Sequence, residues 1–264
     1  MPPTPRPPAS PRPPAPLETL ILCGGKGTRA YPHTLEVPKP LMQVGDAPIL
    51  EHLMASYAGQ GFDRFVLAAG YLAERLEEFA ATVPHEWTVS VVDTGEDTGT
   101  GGRILKCAST LGPRFLATYG DGLGDVDLHA LVDFHAGHPG SATVTIVPLP
   151  SPYGTIESDA SGRVRGFVEK PTLDDRWINA GFFVFDDTVF EHWAGDDLER
   201  EVLPALAEAG ELYAYRHAGF WRSMDTYKDA LELSALVNGE DPPWMVSPAS
   251  ACSSPARPGS SGLT

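Results

Sequence analysis

Positive charge is scarce in this chain of 264 residues: 19 Lys and Arg stand against 35 Asp and Glu, a formal net charge of -16. A surface for nucleic acid or for an acidic membrane needs a basic face, so this balance argues against both partners. Cysteine is equally sparse. Cys23, Cys107 and Cys252 form no CxxC pair, which argues against a disulfide framework or a zinc site and for a reducing compartment, the cytoplasm. No run approaches the ~18 apolar residues of a membrane-spanning helix.

Apolar residues are also missing from both ends. Nine of the first sixteen residues are Pro, so 1–16 is expected to be an extended, polyproline-like tail with no apolar core of signal-peptide length. The stretch 247–264 is mostly Ser, Pro, Gly and Ala and is expected to be disordered for want of anything to bury. Residues 17–246 remain as one domain, large enough for a sizeable core.

Within that core, apolar runs alternate with stretches of helical spacing. Strands are expected over 17–22, 65–69, 87–93, 115–119, 142–147, 181–185 and 212–217, and helices over 49–59, 72–80, 103–111, 128–137, 198–209 and 227–237. Pro48 opens the first helix and Pro204 lies inside the fifth. A turn at Asp159 to Gly162 joins 154–158 to 164–169 as a hairpin. This alternation predicts an α/β fold: a Rossmann-like, mixed but mostly parallel central sheet with helices on both faces.

The first strand runs into Cys23-Gly24-Gly25-Lys26-Gly27-Thr28-Arg29, and Lys39 follows between Pro38 and Pro40. Consecutive glycines let backbone N–H groups close on a bulky anion. Arg29 and Lys39 add positive charge beside it, so the stretch reads as a cradle for a nucleoside triphosphate. A dinucleotide fingerprint would need a helix of two turns to follow, which Pro32 and Pro38 forbid, and a Walker loop would need Gly-Lys-Ser/Thr. A second glycine loop spans Thr98 to Gly102, and Gly120-Asp121-Gly122 ends the fourth strand. A carboxylate at the carboxyl end of a buried strand is where open α/β sheets place ligand groups.

Ten pieces stand in order: CGGKGTR, PKPL, Gly70-Tyr71, DTG at Asp93, TGGR at Thr100, YGDG at Tyr119, Glu169-Lys170-Pro171, NAGFFVF at Asn179, GFW at Gly219 and MDT at Met224. No single piece is specific, but their joint order resembles the sugar-1-phosphate nucleotidyltransferases, most nearly the glucose-1-phosphate cytidylyltransferases. The resemblance covers the core and implies transfer of a nucleotidyl group from CTP to glucose 1-phosphate, with release of pyrophosphate. Another nucleotide or another sugar phosphate is the alternative within the class. It implies that Cys23, Gly24, Gly25, Gly27, Thr28, Arg29 and Gly120 hold the triphosphate, and that Thr100, Gly101, Gly102 and Arg103 read the base. Lys39, Glu169, Lys170, Asn179 and Gly181 are implied on the sugar phosphate. The implied catalytic residues are Arg29, Lys39, Asp121 and Asp225, with Asp121 and Asp225 sharing Mg²⁺; a homo-oligomer is implied as well.

Two departures stand out. Only 81–87 separate the second helix from the DTG strand, where the cytidylyltransferases carry a longer segment. Tyr31-Pro32-His33-Thr34 resembles thymidylyl, uridylyl and guanylyl relatives instead. Other readings attach to single residues. Asp125 and Asp127 form the DxD of a glycosyltransferase, yet read better as turn and N-cap residues of the 128–137 helix. A non-catalytic sensor would use the cradle alone. Asp225 by itself reads as an N-cap. His129, His135 and His138 fall on one helix and its end, where a structural or surface role fits. Trp177, Phe220 and Trp221 divide between core and a platform for the sugar.

Overall fold

The computed structural model describes residues 16–237 and 242–245. The tails expected over 1–16 and 247–264 lie, Pro16 apart, outside the described residues, as does Cys252. In chain order the elements are β1 (Thr19–Leu22), β2 (Gln43–Val44), β3 (Ala47–Pro48), α1 (Ile49–Ala58), β4 (Arg64–Ala69), α2 (Ala73–Ala80), β5 (Thr88–Asp93), α3 (Thr100–Cys107), β6 (Arg114–Tyr119), β7 (Gly122–Gly124) and α4 (Leu128–Ala136). Then follow β8 (Ala142–Pro150), β9 (Thr155–Ser158), β10 (Val164–Val168), β11 (Thr172–Asp186), α5 (Leu203–Glu208), β12 (Leu212–Arg216), β13 (Trp221–Ser223) and α6 (Tyr227–Val237).

The strand β1 shows how pattern becomes layer. All four of its residues are buried, and successive side chains of a strand point to opposite faces. Ile21 joins an apolar cluster with Leu53 of α1, Leu131 of α4 and Leu233 of α6, while Leu20 and Leu22 join another with Ile104 of α3 and Leu206 of α5. A strand covered on both faces has to be apolar throughout. Seven strands lie in the order β12-β8-β11-β6-β1-β4-β5. Each pairing is parallel except those of β11, which runs against β6 and β8. The mixed, mostly parallel sheet expected from sequence is the one observed. With β1 between β4 and β6, a crevice opens at the carboxyl ends of β1 and β6, the position where such sheets take ligands.

Three elements differ from expectation. The helix expected over 103–111 begins at Thr100, so Thr100, Gly101 and Gly102 form its first turn and are not a loop. The strand expected over 181–185 is the fifteen-residue β11; its pairing with β8 shifts register between Asn179 and Phe183, around Gly181 at φ +80°. The helix expected over 198–209 begins with a π turn, Leu198–Val202, before α5. The turn widens to i→i−5 bonds, Val202 N to Asp197 O and Leu203 N to Leu198 O. Pro204 has no N–H and sits in the first turn of α5, where one is least needed.

His135 of α4 and His138 just after it belong to one relay. Gly140 N–H donates to His138 Nδ1 at 3.2 Å, so His138 carries its hydrogen on Nε2 and donates to the Thr143 hydroxyl at 2.7 Å. Thr143 in turn donates to His135 Nδ1 at 2.8 Å, which leaves His135 Nε2–H facing Asp186 Oδ1 at 3.4 Å. Arg114 closes the chain with two bonds to Asp186, at 2.6 and 2.9 Å. Both imidazoles are therefore neutral, and burial holds His135 down to about 4. His129 bonds the Gln60 carbonyl at 2.8 Å.

Candidate active site

The glycine-rich stretches end β1, lead into α3 and follow β6, and together they rim a cleft of about 690 Å³. Lys39 lies in its wall. Pro38 holds the chain extended before a tight turn over Lys39–Leu41. Gly27 stands at φ +60°, and a Cβ there would come within 2.9 Å of the Lys39 Cβ, so only glycine allows both the turn and the approach. The Lys39 side chain is 9% exposed, with its ammonium 2.5 Å from Asp121 Oδ2 and 3.0 Å from Asp225 Oδ1. Arg29 meets the other oxygen of Asp225 at 2.9 Å.

Asp121 and Asp225 are distant in sequence, and a short antiparallel pairing unites them. β13 lies on β7 with Ser223 opposite Gly122, and Met224 N donates to Asp121 O at 2.8 Å. Asp225 does not cap α6. Asp229 Oδ2 accepts from Thr226 N and Oγ1, and Asp229 N donates back to Thr226 Oγ1. That reciprocal pair satisfies the helix start and leaves the Asp225 carboxylate to the cleft. The arrangement also fits an oxygen-seeking divalent cation, which takes one or two carboxylates together with phosphate oxygens and water. Among the described residues no larger acidic, His or Cys cluster offers a metal site.

The four residues expected to read the base divide between cleft and chain packing. Arg103 is buried, and its terminal nitrogens donate to Ala69 O, Thr94 Oγ1, Gly95 O, Gly24 O and Glu96 O at 2.5 to 3.2 Å. It is a strut that ties the loop after β1 to the ends of β4 and β5, and the N–H groups of both terminal nitrogens are committed to the chain itself. Burial lowers its pKa, against the raising effect of Asp196. A Cβ on Gly24 would lie 2.1 Å from Arg103 Nη1, so this glycine makes room for the guanidinium. Gly101 and Gly102 face the segment before α5: a Cβ on Gly102 would fall 1.8 Å from Asp196 Oδ1, and Gly102 N donates to Asp196 O at 3.0 Å. Thr100 and Arg103 line the cleft; Gly101 and Gly102 do not.

The other expected residues divide similarly. Gly24, Gly25, Gly27, Arg29, Gly120 and Asn179 line the cleft, and beside Gly25 there is open space where a Cβ would stand. Cys23 lines it too, but is buried, with its thiol pushed up by that burial. Thr28 is exposed on the turn Thr28–Ala30 and outside the cleft. Gly181 is buried behind the Tyr119 ring. Glu169 and Lys170 follow β10, exposed and away from the cleft wall. Trp221 lines the cleft and donates to Ala180 O at 2.8 Å, whereas Phe220 tilts onto Trp244 and Trp177 lies under the Arg216 guanidinium. The DxD pair is structural: Asp127 caps α4 through Ala130 N at 2.9 Å, and Asp125 sits 2.9 Å from His217.

Sequence reasoning missed Tyr119, Thr98, Asp197 and Glu199, all of which line the cleft. Tyr119 was within reach, as the residue that ends β6 before Gly120 and Asp121. Burial, followed by the nearby Glu199 charge, pushes its hydroxyl up. Asp197 and Glu199 lie on a helix start remote in sequence from the glycine loops, and no local signal marks them.

The nucleotidyl transferase family profile matches residues 18–238. The probable glucose-1-phosphate cytidylyltransferase of Bacillus subtilis is 38% identical over 255 residues, spanning 87% of this chain and 100% of that protein. The glucose-1-phosphate cytidylyltransferase of Salmonella typhi is 37% identical over 254 residues, 86% of this chain and 98% of its own. In fold, the chain is similar to HddC from Yersinia pseudotuberculosis, with a TM-score of 0.66 at 23% identity over 83% of this chain and 98% of that one. The profile over the whole core, the two relatives matched nearly end to end, and Lys39 held between Asp121 and Asp225 lead to one conclusion: the chain belongs to the nucleotidyl transferase family and is a sugar-1-phosphate nucleotidyltransferase.

Proposed function

We propose that the chain makes CDP-glucose and pyrophosphate from CTP and glucose 1-phosphate with Mg²⁺. The observation that carries the reading is the Lys39 ammonium between Asp121 and Asp225, with Arg29 on the second oxygen of Asp225. The choice of CTP and glucose 1-phosphate leans on the two cytidylyltransferases matched nearly end to end. Nucleotidyltransferases of this family generally use a divalent metal.

In the reaction the phosphate oxygen of the sugar attacks the α-phosphorus of the triphosphate and pyrophosphate departs, roughly in line. The glycine loop after β1 presents backbone N–H groups to the triphosphate, and Gly25 offers open space beside it. An ammonium has three N–H donors; two of those on Lys39 go to Asp121 and Asp225, and the third is available to the phosphate in flight. Arg29, on the rim, meets the departing pyrophosphate. Asp121 and Asp225 would hold Mg²⁺, which when bound offsets phosphate charge. Asn179 and Trp221 face the sugar, the amide for its hydroxyls and the indole as a platform. Glu169 and Lys170, on the hairpin end, reach the sugar phosphate only if that hairpin closes on the bound substrate. The chain is read as a cytoplasmic homo-oligomer that uses neither nucleic acid nor membrane; no helix among the described residues is long and apolar enough to cross one.

The test is pyrophosphate release from each common nucleoside triphosphate crossed with a panel of sugar 1-phosphates. CTP with glucose 1-phosphate should give the highest kcat/KM in Mg²⁺. A different best pair would reassign base or sugar, and no release with any pair would end the reading.

A further inference from the structure

Glu199 enters the cleft from the π turn before α5, and two hydroxyls converge on its carboxylate. Thr100 Oγ1, at the start of α3, lies 2.8 Å from Oε2, and the Tyr119 hydroxyl, at the end of β6, bonds Oε1. What else these hydroxyls do fixes the direction of each bond. Thr100 Oγ1 accepts from Leu198 N at 2.9 Å, and the Tyr119 oxygen accepts from Asn179 Nδ2 at 3.1 Å. A carboxylate has no hydrogen to give, so both hydroxyls donate to Glu199. Asn179 is oriented in turn, because its Oδ1 accepts from Gly181 N at 2.8 Å. The backbone of Glu199 is anchored as well: Asp197 Oδ1 accepts from Glu199 N at 3.1 Å and from Arg200 N at 2.8 Å.

We propose that Glu199 is a positioning residue for both substrates. At the nucleotide end it orients the Thr100 hydroxyl. At the acceptor end it orients Tyr119 and, through Tyr119, the Asn179 amide, whose second N–H then meets a sugar hydroxyl as acceptor. The inference rests on the proposed function, with Thr100 taken toward the nucleotide and Asn179 toward the sugar. Glutamine is the informative replacement, since its single oxygen can accept from one hydroxyl while its amide N–H opposes the other.

The experiment measures pyrophosphate release with triphosphate and sugar 1-phosphate varied separately, for wild type, Glu199→Gln, Tyr119→Phe, Thr100→Val and the double variant Glu199→Gln/Tyr119→Phe. Glu199→Gln should raise KM for at least one substrate roughly tenfold, the scale of one lost hydrogen bond to a charged group, with a smaller change in kcat. Tyr119→Phe should raise mainly the sugar phosphate KM and Thr100→Val mainly that of the triphosphate. In the double variant, Glu199→Gln should add less than about twofold to the sugar phosphate KM of Tyr119→Phe, because residues acting as a unit are not additive. The proposal is overturned if Glu199→Gln leaves both KM values within twofold, or if its effect on the acceptor adds in full to that of Tyr119→Phe. Should Glu199→Gln fail to fold, the single variants decide, and equal effects of each on both substrates refute the assignment. Wild-type turnover in the same assay separates these failures from failure of the family reading. If wild type releases no pyrophosphate, triphosphate binding by calorimetry takes over, and there Glu199→Gln and Thr100→Val must both weaken affinity.

Discussion

The relay of His138, Thr143, His135, Asp186 and Arg114 makes the stability of this fold depend on pH in a way that can be isolated. The folded chain holds His135 neutral and down to about 4, against an ordinary 6.5, chiefly because the ring is buried. The sign follows from linkage: above about 6.5 neither folded nor unfolded chain protonates this ring, and the relay contributes in full. As pH falls from 6.5 toward 4 the unfolded chain binds the proton and the folded chain does not, so stability is lost over that window. The difference of 2.5 in pKa at about 1.4 kcal/mol per unit amounts to about 3 kcal/mol. His138, whose pKa burial also lowers, acts in the same direction. Urea unfolding of wild type and His135→Asn from pH 7.5 to 4.5 measures it. The Asn oxygen still accepts from Thr143 without titrating, so the variant should start less stable and then lose about 2 to 3 kcal/mol less than wild type on acidification. Common losses from carboxylates cancel in the comparison. Parallel curves for the two proteins would refute the neutral relay.

Further outcomes follow from the cleft. Lys39→Ala should lower kcat about 10²- to 10³-fold, the scale for losing one preorganised charge donor, while circular dichroism stays native; near-wild-type kcat would remove Lys39 from the chemistry. Arg103→Lys keeps the charge but cannot reach five acceptors from one ammonium, so unfolding free energy should fall by about 2 to 4 kcal/mol. A loss of triphosphate affinity without loss of stability would return Arg103 to the base-reading role.

Much of the fold was legible in the sequence because the signals involved are local. The unbroken apolar run of β1, the period of α1 and α4, and the glycines at strand ends each state a conformation without reference to the rest of the chain. The order of motifs was enough for the family, and it singled out Lys39, Asp121 and Asp225, which the structure brings together. The sequence also held clues that single-residue reading underused, such as Thr226 and Asp229, whose spacing is that of a helix cap and which release Asp225.

What the tertiary structure decided are the meetings between distant segments. Arg103 stands in a motif implied to read a base, yet the ends of β1, β4 and β5 converge around it and take up its donors. Gly102 looked like a loop residue until the segment at Asp196 packed against it. Glu199 shows no local mark at all, and it joins Thr100 to Tyr119 only because β11 pairs with β6 and the π turn that carries Glu199 packs on α3. Local propensity acts over one turn or one strand, so the sequence alone determined the elements and the kind of chemistry at their ends. Which side chains share a wall depends on strand order and on the packing of faces, and those are settled when the apolar layers close.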